Sequence, residues 1–160
     1  MKEQMIHWQD GNLILTPNRC YSKLTRRIIV TGVLFLALGL YLEIRFADFW
    51  QLPLAIGLCL TVLPLLYLLM VVSQTITIPK GPGPIVFQVG KLYRKEIWNK
   101  QETELVRNSI NGRLFLAISN KNNPYGKAYQ ISPFLTNKQK EIFFEQEILP
   151  IVHLQLEAEK

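Results

Sequence analysis

The chain has 160 residues, 49% of them hydrophobic, and 18 Lys and Arg against 12 Asp and Glu, which give a net charge of +6. The length suits one ordinary domain, and the concentration of apolar residues in one stretch excludes a large soluble core. The basic residues lie close to that stretch and are not interleaved with an aromatic platform, so we expect no nucleic-acid partner.

The N-terminal segment, residues 1–23, is predicted to form a β-hairpin that leads into the apolar stretch. Apolar residues 5–8 and 13–15 flank Asp10-Gly11, a pair that favours a two-residue turn. Pro17 then ends the second strand, because proline has no backbone N–H for a sheet ladder. The sequence leaves open whether this hairpin joins strands formed later in the chain.

Two apolar runs determine the class of protein. Neither Ile28–Leu42 nor Leu52–Ser73 contains a charged residue. A helix needs roughly 20 residues to cross a hydrocarbon core about 30 Å thick, and the second run has that length. The first run reaches the same length once its flanking residues are included. This extension is acceptable because long charged side chains at its ends extend to the two interfaces. The sequence therefore predicts two transmembrane helices.

The predicted transmembrane hairpin occupies residues 24–72, with helices at 24–46 and 52–72. Small residues allow two helices to approach closely, and both helices have them. These residues are Gly32, Gly39, Ala55 and Gly57. Neither helix carries an ionisable residue in its centre, so we expect an anchor and not a transport path.

The distribution of basic residues predicts the orientation of the hairpin. Five Lys and Arg precede the first helix, twelve follow the second, and only Arg45 lies between them. Because positively charged flanks stay on the cytoplasmic side, we expect both termini in the cytoplasm and the loop around Asp48 on the other side.

Residues 73–160 are predicted to form a cytoplasmic β-rich domain. Short alternating segments separated by turn residues indicate an antiparallel meander. The predicted strands are 74–78, 85–89, 91–98, 104–107, 114–118 and 128–131. A C-terminal helix over 137–156 follows, with Thr136 and Gln139 as a capping box and Pro150 as an interruption. The predicted fold class is a membrane α+β protein, whose β domain has the layout of pleckstrin-homology-like domains by architectural analogy.

The residue types that carry common chemistry do not form a recognisable site. His7 and His153 have no Cys, Asp or Glu at metal-binding spacing. The glycines around Gly81 are interrupted by prolines and precede no helix, which excludes a phosphate loop. We therefore expect no enzymatic activity, no metal and no cofactor.

Basic residues are the candidate contacts for anionic lipid headgroups or for a protein partner. They fall in two groups. The group before the hairpin is Arg19, Lys23, Arg26 and Arg27, and the group in the β domain is Lys91, Arg94 and Lys95. The polar loop from Asn120 to Lys127 is a further candidate surface. Aromatic residues could anchor a partner or complete the core, and the sequence leaves both readings open for Tyr93, Trp98 and Tyr125.

Two patches resemble a known family. They are Leu15-Thr16-Pro17-Asn18-Arg19-Cys20-Tyr21-Ser22 before the helices and Ile131-Ser132-Pro133-Phe134-Leu135-Thr136 before the last helix. The chain resembles the domain-of-unknown-function 2244 group of small bacterial integral membrane proteins. Cys20-Tyr21 replaces Ser-Leu of the family pattern, and Ser132-Pro133 stands where the pattern tends to have Gly and a variable residue. The resemblance implies a bacterial inner membrane and transfers no catalytic residue.

The sequence is compatible with three functions. The first is a non-enzymatic accessory or scaffold protein, whose β domain docks a larger membrane complex or another copy of the chain. The second is a sensor of the membrane surface that binds anionic lipid headgroups. The third, an enzyme acting on lipid or peptide, is disfavoured by the absence of a catalytic motif.

Overall fold

The computed structural model describes residues 5–46, 50–123 and 125–157, which form two compact units. The helical unit comprises Tyr21–Val72, and the β unit comprises the described residues before and after it. Asp48, in the predicted loop between the helices, lies outside the described residues.

The helical unit is a hairpin of two long apolar helices. Helix α1 spans Ser22–Phe46 and follows a short 3-10 turn at Arg19–Tyr21. Helix α2 spans Gln51–Tyr67, contains Pro64, and continues as a π-helix over Leu68–Val72. Both are long and apolar enough to cross a bilayer, and only 11% of the most apolar window of each is buried. The predicted helices at 24–46 and 52–72 are thus present within two residues at each end.

Glycines hold the two helices close together. A Cβ added at Gly57 would lie 2.6 Å from the backbone nitrogen of Leu36 and 2.9 Å from the backbone oxygen of Gly32. At Gly39, it would lie 3.0 Å from the backbone nitrogen of Leu54. The predicted role of Gly32, Gly39 and Gly57 is confirmed. The prediction for Ala55 is wrong, because Ala55 is exposed and its neighbour Leu54 meets Gly39.

The threonines of the helices bond to their own helix backbones. The hydroxyl of Thr31 donates to the carbonyl of Arg27 at 3.1 Å, and the hydroxyl of Thr61 donates to the carbonyl of Gly57 at 2.7 Å. These hydroxyls are satisfied locally, as expected for polar side chains in apolar helices.

The β unit contains two antiparallel sheets. The first has five strands in the order β1-β2-β3-β4-β5, and the second has three in the order β6-β7-β8. The strands of the first sheet are β1 Ile6–Gln9, β2 Asn12–Leu15, β3 Gln74–Ile78, β4 Pro84–Val89 and β5 Tyr93–Asn99. Those of the second are β6 Thr103–Ile110, β7 Arg113–Asn120 and β8 Tyr129–Gln130.

The N-terminal hairpin is part of the first sheet. Asp10 and Gly11 both have positive φ, 52° and 80°, which is the geometry of the predicted two-residue turn. Strand β2 then pairs with β3, with Leu15 opposite Ile76. Residues that precede the helical unit and residues that follow it therefore form one continuous sheet.

The predicted single meander is divided in two. The short 3-10 turn Lys100–Glu102 separates β5 from β6, and the next strands pair only among themselves. The side chain of Lys100 is buried there, and its ammonium group donates to the carbonyl of Lys80 at 3.1 Å. Both sheets keep the sequential antiparallel order of a meander.

The core of the β unit lies where both sheets meet the C-terminal helix. Its most buried apolar side chains come from both sheets and from this helix, which indicates one continuous core. They include Leu13, Ile76, Ile78, Ile85, Ile118, Ile148 and Val152, each with 0% of its surface exposed.

The C-terminal helix has three parts: α3 Lys138–Phe143, a π-helical turn Phe144–Ile148, and α4 Leu149–Glu157. The prediction that Thr136 caps it is wrong. Asn137 is the N-cap, and its side-chain oxygen accepts a hydrogen bond from the Lys140 amide at 2.9 Å. The π-helical turn ends at Ile148, two positions before Pro150, which has no N–H for the helix.

Candidate functional site

The turn between β4 and β5 is a tight, well-bonded structure. Gly90 has φ +53°, a left-handed conformation that favours glycine. The Leu92 amide donates to the Val89 carbonyl at 3.1 Å, which closes the turn. The side-chain amide of Gln88 donates to the Gly90 carbonyl at 2.6 Å. These bonds fix the backbone from which the following side chains project.

A further bond attaches this turn to the start of β3. The Gly90 amide donates to the carbonyl of Ser73 at 3.1 Å, and Gln74 lies opposite Val89 in the sheet. Ser73 directly follows the last residue of the second apolar helix in the chain. The turn therefore lies at the end of the sheet where the chain comes from that helix.

Large apolar side chains are exposed at this turn beside basic residues. Leu92 is 71% exposed and Tyr93 is 51% exposed. Lys91, Arg94 and Lys95 are exposed as well, and none of the three forms an ion pair with any residue in the described ranges. We call residues 90–95 the basic turn. The nearest acidic residue in the chain, Glu96, follows one position later on β5.

The ring of Tyr93 is oriented by an aromatic cluster. It meets Phe87 edge-on, with ring centroids 6.4 Å apart. Phe87 in turn packs against Tyr129 at 4.9 Å, and Tyr129 packs against Trp98 at 5.5 Å. Trp98 is only partly exposed, which favours completion of the core over the alternative of a partner anchor.

The predicted basic residues are divided between the two units. Arg19 follows Asn18, whose side-chain amide lies 3.5 Å from the side-chain oxygen of Gln74, so Arg19 shares one sheet end with the basic turn. The other three residues of the N-terminal group are exposed on the first turns of α1, in the helical unit. They are Lys23, Arg26 and Arg27. One of the four, Arg19, thus belongs to the same unit as Lys91, Arg94 and Lys95.

A second exposed apolar turn lies in the other sheet. Asn111 and Gly112 have φ of 51° and 73° and join β6 to β7. Ile110 and Leu114, which flank them, are 52% and 37% exposed, with Arg113 between. An Asn-Gly pair favours a two-residue turn of this kind, but no sequence signal distinguishes its apolar flanks from core residues.

The polar loop from Asn120 to Lys127 is exposed wherever the structure describes it, apart from its partly buried first residue. Tyr125 is completely exposed. Asn120 organises the start of the loop, because its side-chain oxygen accepts a hydrogen bond from the Asn122 amide at 2.8 Å. Tyr125 is thus placed for contact with a partner and contributes nothing to the core.

One hollow of the β unit lies beside β6. This hollow has a volume of about 260 Å³, and its lining includes Glu104, Lys121 and His153. The side chain of Lys121 donates to the Gln101 carbonyl at 2.6 Å, and the Ser119 hydroxyl donates to Glu104 at 3.2 Å. Within the described part of the chain, no cluster of three or more His, Cys, Asp or Glu residues could hold a metal ion.

Comparison with known proteins adds no further identification. No protein-family model, curated protein or solved structure matches this chain. Membership of the domain-of-unknown-function 2244 group therefore stays a prediction based on the two sequence patches.

Proposed function

We propose that this protein is a non-enzymatic accessory or scaffold protein of a bacterial inner membrane. Its helical hairpin would cross the bilayer twice, and its β unit would dock a larger membrane complex or another copy of the chain. The proposal retains the predicted family, which implies the same kind of membrane.

Two observations support the membrane anchor. The first is that the apolar faces of both helices are exposed over most of their length, with 11% of each window buried. A core helix of a soluble protein would bury such a surface. The second is the pairing of β2 with β3, which requires the residues before and after the hairpin to lie on one side of any membrane. Two crossings meet that requirement.

The exposed apolar turn between β6 and β7 is the observation that supports docking. Ile110 and Leu114 present apolar surface on a hairpin whose backbone is fixed by eight paired positions. Interfaces commonly use such apolar anchors near their centre, with polar residues around them. Arg113 supplies the polar component here.

Purification of the tagged protein from native membranes in mild detergent tests this proposal. We expect a partner at a fixed stoichiometry. The double variant Ile110→Ser, Leu114→Ser should lose it, because each substitution removes an apolar anchor. The matched control Leu92→Ser, a substitution at the other exposed turn, should retain it. A wild-type protein that purifies alone and as a monomer would contradict the accessory role.

A second candidate function is a pleckstrin-homology-like module that senses the membrane surface. The observation that favours it is the basic turn, in which two exposed apolar side chains lie between exposed basic ones. Two antiparallel sheets closed by a C-terminal helix fit the layout of such modules, although fold analogy assigns no ligand.

A further inference from the structure

We propose that the basic turn inserts end-on into the surface of an anionic lipid leaflet. Leu92 and Tyr93 enter the boundary between headgroups and acyl chains, and the cations beside them bind lipid phosphates. Those cations are Lys91, Arg94 and Lys95. This inference rests on the proposed membrane anchor, and it is independent of whether the β unit also docks a protein.

The position of the turn in the sheet supports contact with the leaflet. Residues at one end of the first sheet are those nearest in sequence to the two apolar helices. Leu15 ends β2 a few residues before α1, and Ser73 directly follows the second helix. The bond between Gly90 and Ser73 places the basic turn at this same end. In a chain that these helices anchor, the basic turn therefore lies within a few residues of the point where the chain leaves the bilayer.

The directions of the basic side chains favour an end-on approach. Arg94 lies opposite Gln88, and Lys95 lies opposite Phe87, so the two cations project from opposite faces of the sheet. A lipid surface that receives the tip of the hairpin surrounds both faces, and each long side chain reaches the headgroups from its own side.

The side chains of the basic turn suit the lipid interface better than those of the second exposed turn do. Tyrosine has an apolar ring and a polar hydroxyl, which suits the boundary between headgroups and hydrocarbon. Three cations surround the two apolar side chains at the basic turn, whereas Arg113 is the one cation between Ile110 and Leu114. Cytoplasmic leaflets carry a negative surface potential that attracts such clusters.

The turn is already ordered before it meets lipid. Its backbone is held by the bonds of Gln88, Gly90 and Leu92, and the ring of Tyr93 packs against Phe87. Insertion therefore costs little conformational entropy, which is the usual advantage of a preorganised binding element.

A spin label at position 92 tests the insertion in the full chain. The label is attached to Leu92→Cys in a background of Cys20→Ser and Cys59→Ser, and the protein is reconstituted in nanodiscs of phosphatidylcholine with or without phosphatidylglycerol. We expect the label to be accessible to oxygen and shielded from a water-soluble nickel chelate in the anionic discs. The matched control is a label at Ile110→Cys, which should stay accessible to the chelate in both.

Removal of the cations tests the electrostatic part of the inference. Each substitution of Lys91, Arg94 or Lys95 by Gln should reduce the ratio of inserted to free turn in anionic discs by about fivefold. The signal in neutral discs should not change. High salt should also reduce the ratio of inserted to free turn, because it screens the surface potential.

Two results would overturn the inference. One is equal accessibility of the labels at 92 and 110 to the chelate in anionic discs. The other is a label at 92 that is shielded only in native membranes, which would assign the turn to a protein partner. A chain that fails to enter nanodiscs would contradict the anchor as well, and this failure is visible at the reconstitution step itself.

Discussion

At the scale of single residues, Ser132 satisfies several backbone groups inside the β unit. Its hydroxyl accepts a hydrogen bond from the Leu116 amide at 2.7 Å and donates to the Pro133 carbonyl at 2.9 Å. The side chain is completely buried. The hydroxyl of Ser132 therefore supplies bonds that a glycine at this position could not make.

We expect Ser132→Ala to lower the free energy of unfolding by about 1–3 kcal/mol, because the substitution leaves a buried amide of β7 without its acceptor. Ser109→Ala removes an exposed hydroxyl from the neighbouring strand and should change stability by less than about 0.5 kcal/mol. Chemical unfolding of the detergent-solubilised chain, followed by circular dichroism, measures both. Equal losses would show that the hydroxyl of Ser132 has no special role.

Local turn chemistry was predictable from sequence, whereas side-chain exposure was not. Asp10-Gly11 predicted a hairpin because few residue pairs accept positive φ at both positions. In contrast, Leu92 and Ile110 look like core residues in the sequence, and their exposure depends on where each sheet ends. The sequence predicts Thr136 as the N-cap, one residue before the observed cap at Asn137, because threonine is also a favoured cap type.

At the scale of elements, the helical hairpin depends on close backbone contact. Gly57→Ala should weaken the packing of α1 against α2, because the new Cβ would press on the backbones of Leu36 and Gly32. We expect a loss of about 1–3 kcal/mol, typical of overpacking. Ala55→Val adds bulk at an exposed position of the same helix and serves as the control. Thermal loss of the helical signal in micelles should begin at a lower temperature for Gly57→Ala alone.

The C-terminal helix is held by its apolar face, and its ion pairs contribute less. Arg107 bonds both Glu141 and Glu145, but its side chain is 49% exposed, so solvent screens these pairs. Ile148 is completely buried against both sheets. We expect Arg107→Gln to cost less than about 1 kcal/mol and Ile148→Ala to cost about 2–5 kcal/mol. Denaturant unfolding compares the two, and the reverse order would contradict this account.

The elements themselves were largely predictable, and the break between the sheets was not. Periodicity indicated the strands and both long helices within a few residues. The division after β5 rests on the turn Lys100–Glu102, which contains neither glycine nor proline. This turn is stabilised by a hydrogen bond between Lys100 and Lys80, which are distant in sequence. No local sequence pattern predicts such a long-range contact.

At the scale of the whole molecule, the sheet itself constrains topology. Since β2 pairs with β3, the segments before and after the helices would share one compartment in a chain that these helices anchor in a membrane. This conclusion does not depend on the distribution of charges, yet it agrees with the orientation that the basic flanks predict.

The position of the candidate site in the whole molecule could not be predicted from the sequence. The basic turn was recognisable as a cluster, but its place beside Ser73 depends on long-range pairing.

Reporter fusions test the orientation. A fusion at residue 160 should report the cytoplasm, and one near residue 48 should report the periplasm, because the basic flanks hold the termini inside. A fusion at residue 1 should agree with the one at residue 160. The opposite assignment would reverse the orientation, whereas disagreement between the two termini would contradict the pairing of β2 with β3.

The pairing of β2 with β3 also sets an order of events during translation. Strand β2 ends at Leu15 and β3 begins at Gln74, so about 60 residues leave the ribosome between them. At roughly 5–20 residues per second, the wait is roughly 3–12 s. An isolated two-stranded hairpin is at best marginally stable in water, so the N-terminal segment stays largely unfolded during this interval. The nascent sheet can therefore close only after both apolar helices have been synthesised.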